Sequence, residues 1–227
     1  MQAASGMHTI QESLGDIASA NPAATRVFLR HKLDFCCGGK RSLADACRAA
    51  GLDPTAIVAE LEQEAVHDGG SARWENQPQS ELADHIESRY HAALRRDLPP
   101  LIEAARKVER VHAQKPDVPA GLTGVLTDFF AEMQQHMMKE EKILFPMIRR
   151  GMPAEVVAMP VSVMEREHDT HGEYLAKIRT LTGDLQIPAH ACATWRALYD
   201  GLVAVEADLM KHIHLENNVL FPRATAR

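Results

Sequence analysis

The sequence is poor in aromatic residues, in excess positive charge and in long apolar runs. Phe, Trp and Tyr make up only 5% of 227 residues, which disfavours an all-β sandwich. No apolar run approaches the ~20 residues of a membrane-crossing helix, so no membrane association is expected. Lys and Arg number 25 against 31 Asp and Glu, a net charge of −6, which argues against general nucleic-acid binding. Met1–Gly6 has no basic segment leading into an apolar core, so no secretory signal is expected. Without one, the four cysteines do not read as a disulfide framework. What is plentiful is histidine, 12 residues or about one in nineteen.

Helix punctuation is dense and strand punctuation nearly absent. Thr9–Glu12 reads as a capping box. Asn21–Pro22 reads as an N-cap followed by a first-turn proline, Ser42 as another cap, and Asp53–Pro54 as a third start. These predict a small helical domain over 1–66. The polar stretch 67–79, with paired glycines and a proline, reads as a linker. Four longer helical segments follow, at about 80–113, 120–150, 160–183 and 188–218, with Pro99–Pro100 expected to kink or break the first. The expected fold is all-α: a small helical domain, then an antiparallel four-helix bundle over 80–227.

Two stretches carry the chemistry. His136–Pro146 and His212–Pro222 both read H-x3-E-x3-L-F-P, at an offset of 76 residues. His and Glu four apart share one face of a helix. Here that face continues an apolar stripe, Leu126, Phe129 and Met133 before the first motif and Leu198, Leu202, Val205 and Leu209 before the second. A carboxylate among core residues is costly unless it is paired or coordinated. A two-fold arrangement with one solitary His per half gives His85, His136 and Glu140 from one half, and His168, His212 and Glu216 from the other. Four imidazoles and two carboxylates suit a dinuclear site better than a four-ligand structural zinc. Iron fits first, with manganese or zinc behind it. Glu140 has a neighbouring competitor in Glu141, and His168 in His171, which reads as a residue beside the site. His91, His112, His190 and His214 read as solvated, and Met133, Met137 and Met138 as core filler.

Asp34-Phe-Cys36-Cys37-Gly-Gly39 links two short helices. Adjacent cysteines close only a strained ring, so no disulfide is expected between them. The glycines permit a tight turn that exposes the thiols, and the dipole of the Ser42 helix favours thiolate. The alternative is a pair of small buried hydrophobes. Cys47 and Cys192 read as structural.

These segments resemble the repair-of-iron-centres family, of YtfE/ScdA type. DFCCGG, HMMKEEKILFPMI (136–148) and HIHLENNVLFPR (212–223) carry the resemblance, with VERVHAQKP (108–116), SVMEREHD (162–169) and the His85 segment beside them. It implies a hemerythrin-like bundle holding two non-haem iron ions, oxo- or hydroxo-bridged, on His85, His136, Glu140, His168, His212 and Glu216. It implies functional thiols at Cys36 and Cys37 and a cytoplasmic stress-response role: repair of iron–sulfur clusters damaged by nitric oxide or peroxide. The expected partners are damaged iron–sulfur proteins and nitric oxide or another diatomic ligand, with a homodimer left open. The rival readings are reduction of nitric oxide to nitrous oxide at the two irons, and an oxygen-binding or sensing module. Oxygen-carrying hemerythrins have a further His four residues beyond the one on their third helix. Here that position is Gly172, which disfavours oxygen carriage.

Overall fold

The structure is a computed structural model and describes residues 10–66 and 73–226. Among them there is no strand, and the described elements are helices, as expected. Four are short: α1 (Leu14–Ala20), α2 (Ala24–Arg30), α3 (Leu43–Ala50) and α4 (Pro54–Val66). Four are long: α5 over 79–111, α6 over 122–149, α7 (Ala154–Leu181) and α8 over 193–224. None is long and apolar enough to cross a membrane.

By its contacts the chain falls into two compact units, residues 1–82 with 210–227, and residues 83–209. In the first, Leu14, Val27, Phe28, Phe35, Leu43, Ile57 and Leu61 form a buried cluster, and Met210 of α8 packs against it. The helix starts follow the sequence signals. Ser13 accepts the Asp16 N–H, Ser42 accepts the Asp45 N–H, and Asp53 accepts that of Thr55. Gly51 ends α3 at φ 69°, a left-handed conformation that glycine adopts without strain. The expected capping box at Thr9 and the linker residues 67–72 lie outside the described residues.

The second unit is the four-helix bundle. Leu94, Leu98 and Ile102 of α5, Leu126, Phe129 and Met133 of α6, Val161 and Met164 of α7, and Trp195, Leu198 and Leu202 of α8 are buried. Their steps of three or four residues are the helical period of a core-facing stripe. The prolines do not end the helices they fall in. α5 runs through Pro99 and Pro100, and Pro160 lies inside α7, which starts earlier than its predicted 160. The carbonyls these prolines leave without a helical donor belong to Arg95, Arg96 and Val156, all exposed, so the backbone loses its bonds where water is at hand.

Three of the long helices contain one wide π-type turn each: Ile86–His91 in α5, Glu140–Leu144 in α6 and Leu215–Leu220 in α8. Each closes with a five-residue bond, from Ala92 N–H to Glu87, Phe145 N–H to Glu140 and Phe221 N–H to Glu216. Pro146 and Pro222 directly follow the last two. A proline cannot donate to the carbonyl four residues back and its ring clashes with it, so a widened turn relieves the conflict. Thus the L-F-P ending of the repeat shapes the backbone just after each glutamate.

Candidate metal centre

In the unit 83–209, the α6 stripe runs Phe129, Met133, His136, Glu140, Leu144, and all five are buried. His136 is 1% exposed and Glu140 0%. Glu140 Oε2 lies 3.4 Å from His136 Nε2 and 3.3 Å from His91 Nε2. His168, on α7, brings its Nε2 to 3.2 Å from His136 Nε2. His136, Glu140 and His168 present ligand-type atoms all within 4.8 Å of one another, as do His91 and Glu140.

Each imidazole beside Glu140 is held from behind. His136 Nδ1 lies 2.9 Å from Glu167 Oε2, and Lys139 also binds that carboxylate. The His136 bond and then Lys139, acting against burial, hold the Glu167 carboxyl down at about 2. His91 Nδ1 lies 2.8 Å from Glu141 Oε1, which Arg95 approaches to 2.7 Å. Burial pushes the Glu141 carboxyl up, but the Arg95 and His91 bonds outweigh it, leaving it below the usual range. An ionised carboxylate only accepts, so each Nδ1 carries a proton toward its carboxylate and each Nε2 is the ring atom turned toward Glu140.

At one position the histidine that the structure brings to Glu140 differs from the one expected, His91 standing where His85 was predicted. His85 is half-buried with its ring 5.6 Å from Tyr90, and it does not join Glu140. Burial, then the charge of Arg89, lowers its pKa. His91, expected on the surface, is 0% exposed and stacks on Phe145 at 5.9 Å. The wide turn bears on this: its closing bond spans five residues, from Ala92 N–H to Glu87, and within it Tyr90 and His91 are both buried before the stripe resumes at Leu94 and Leu98. The sequence signal was a buried-register His in a helix already carrying one. His171 is buried with its ring 4.7 Å from that of His136, beside the cluster as read from the sequence. Glu141 is the holder of His91 rather than a rival of Glu140. Met133 and Met137 are core residues, but Met138 is exposed.

The second half of the repeat is described in the unit 1–82 with 210–227. His212 and Glu216 are both 0% exposed, with Nε2 and Oε1 3.0 Å apart. They continue the stripe of α8, which is helical through Leu209, His212 and Glu216 without a break. Asn217 and Asn218 follow. Asn217 donates to the Cys36 carbonyl at 3.3 Å, and Asn218 to the Phe35 carbonyl at 3.2 Å and the Cys36 carbonyl at 3.4 Å. His214, expected to be solvated, is buried, its ring 5.6 Å from Phe35. Burial lowers its pKa to about 4 against the opposing Phe35 backbone bond.

The DFCCGG loop differs from its reading in two respects. Cys36 is buried, and only Cys37 is partly exposed. The Cys36 thiol is held well above its ordinary pKa by its hydrogen bond with Cys37, then by burial and the charges of Cys37 and Asp34. The expected thiolate stabilisation is therefore not met at Cys36. The glycines serve close approach rather than a left-handed turn. A Cβ on Gly39 would lie 2.6 Å from Asn218 Oδ1 and 2.8 Å from the Phe35 carbonyl. Cys47 belongs to the core cluster, whereas Cys192, read as structural, is exposed, with Sγ 3.3 Å from His112 Nε2.

The site chemistry fits a cation. Neither carboxylate oxygen of Glu140 takes a hydrogen bond, although the side chain is fully buried. A buried acceptor without a donor has lost its hydration, and a buried charge without compensation costs several kcal/mol. A positive ion among these nitrogen and oxygen donors removes both penalties, and imidazole with carboxylate is a donor set that iron accepts.

Comparison with known proteins agrees. The family model described as Hemerythrin HHE cation binding domain matches residues 82–224, and ScdA_N, described as a domain of unknown function, matches 10–65. Over 213 residues the chain is 49% identical to the iron-sulfur cluster repair protein YtfE of Yersinia pseudotuberculosis serotype IB (strain PB1/+), covering 94% of this chain and 96% of that protein. The protein of the same name from Yersinia pestis (strain Pestoides F) matches with the same identity and coverage. With both domain models matched in order and relatives aligned along nearly its whole length, the chain belongs to the repair-of-iron-centres family, of YtfE/ScdA type, with a hemerythrin HHE cation-binding domain.

Proposed function

We propose that this chain repairs damaged iron–sulfur clusters, and that its bundle holds two iron ions on His91, His136, Glu140, His168, His212 and Glu216. The observation that carries the reading is the buried Glu140 carboxylate, bare of hydrogen bonds, with the Nε2 atoms of His91 and His136 at 3.3 and 3.4 Å from it. The name of the relatives supports the repair role. His212 and Glu216 enter because they repeat His136 and Glu140 at identical spacing on a buried stripe within the matched domain.

Iron there would supply one-electron chemistry and ligand positions for a diatomic molecule such as nitric oxide. The chain's own residues do the rest. Glu141 and Glu167 keep the Nδ1 protons in place and so fix ring orientation. Phe129, Met133 and Met137, all buried, keep the surroundings of His136 dry. In this reading residues 1–66 form the thiol-bearing domain, 67–79 the linker and 80–227 the iron-binding bundle. Cys36 and Cys37 act as functional thiols toward damaged iron–sulfur proteins in the cytoplasm. Oxygen carriage lacks its further imidazole here, because position 172, four residues beyond His168, is a glycine without a side chain to offer.

The test is reactivation of a nitric-oxide-damaged iron–sulfur enzyme by iron-loaded protein and by the Glu140→Leu, Glu216→Leu double variant. The reading expects repair to be lost in the variant. Undiminished repair would overturn it.

A further inference from the structure

The DFCCGG loop brings together three donors that the bundle does not use. Cys36 Sγ and Cys37 Sγ are 3.9 Å apart, and Asp34 Oδ1 is 3.2 Å from Cys36 Sγ. All three residues present ligand-type atoms within 4.8 Å of one another. A tetrahedral ion with metal–sulfur bonds of about 2.3 Å needs its two sulfurs roughly 3.8 Å apart, and sulfur and carboxylate oxygen roughly 3.6 Å apart. The spacing therefore admits an ion with only small adjustment. It is far from the ~2 Å of a disulfide, which adjacent cysteines close only with strain.

The loop is built to hold this arrangement. Asp34 Oδ1 accepts the backbone N–H groups of Cys36 at 3.1 Å and Cys37 at 3.0 Å, and Oδ2 accepts that of Gly38 at 3.0 Å. A Cβ on Gly38 would lie 3.0 Å from Asp34 Oδ2 and 2.9 Å from the Asp34 carbonyl, so only glycine leaves the carboxylate where it is. From the other side Asn217 and Asn218 grip the Cys36 and Phe35 carbonyls. Asp34 is exposed and Cys37 partly exposed, so the cluster opens on one side.

We propose that Asp34, Cys36 and Cys37 form a second metal site, which takes a thiophilic divalent cation from solution and keeps one coordination position open for exchange. Binding breaks the two S–H bonds and forms two metal–sulfur bonds, with the two protons passing to solvent and no change of oxidation state. Three protein ligands with an open fourth position are the pattern of a reactive or transferring site rather than a closed structural one. Its two thiols set its donor set apart from the imidazoles and carboxylate of His91, His136, Glu140 and His168.

Cobalt(II) is the probe, because thiolate ligation gives it a near-ultraviolet charge-transfer band that nitrogen and oxygen ligands do not. Full-length protein already loaded with iron is titrated with cobalt(II) without oxygen, and its iron content is measured separately. The expected result is one cobalt per chain with the charge-transfer band. Cys36→Ser with Cys37→Ser loses the band, and Asp34→Ala weakens cobalt binding at least tenfold, both with iron content and helicity unchanged. No band in the unaltered protein, a band that survives in the double serine variant, or an affinity untouched by Asp34→Ala would overturn the proposal. Failure of the bundle to load iron would strike the function proposed above and leave the cobalt result to stand or fall alone.

Discussion

The two halves of the H-x3-E repeat share spelling but not surroundings. Glu140 makes no hydrogen bond and faces Nε2 of two imidazoles, whereas Glu216 lies at 3.0 Å from its own His212. The divergence begins one residue later. After Glu140 come Glu141 and Lys142, and Glu141 holds His91 from behind. After Glu216 come Asn217 and Asn218, and both hold the cysteine loop. One copy spends its next residue on orienting a ligand, the other on docking a loop. A repeat thus conserves the donor pair while the following turn is free to serve the local neighbourhood, and the proline-widened turns present those residues.

That contrast can be broken at graded points. The largest effect is expected from His91→Ala, which removes a donor facing Glu140 and is expected to reduce bound iron substantially by metal analysis. His85→Ala leaves the iron content unchanged in the same assay. Next comes Glu167→Gln, which weakens the support of His136 and is expected to cost roughly 10–100-fold in metal affinity, read by competition with a chelator. Gly39→Ala forces a methyl against Asn218 and the Phe35 carbonyl. It should cost about 1–3 kcal/mol in urea unfolding while sparing the iron affinity. The smallest effect is expected from Asn217→Ala, about 1 kcal/mol of loop anchoring, seen as faster labelling of Cys37 by a thiol reagent. If Asn217→Ala lowered iron affinity as much as Glu167→Gln, the division of roles between the two copies would be wrong.

Most of the fold was legible because it rests on local chemistry. Ser42 and Asp53 cap where they were read to cap, and the stripes of α6 and α8 keep the helical period that the repeat revealed. What was hidden is where the helix departs from that period. His91 is buried within the wide turn of α5, where Tyr90 and His91 are both inside, and no proline beside that turn announces it in the sequence. Pro99 and Pro100 do not break α5, nor does Pro160 end α7, because each leaves an exposed residue's carbonyl without its donor. The burial of Cys36 and His214 was hidden for another reason. It depends on Asn217 and Asn218 meeting a loop about 180 residues away in sequence, and no local pattern encodes that.

The most direct measurement is metal analysis of the purified protein and its His91→Ala and His85→Ala variants, taken with their optical spectra. The account predicts two irons per chain in the unaltered protein and in His85→Ala, and fewer in His91→Ala. A single zinc without iron, or iron lost from His85→Ala and retained by His91→Ala, would contradict it.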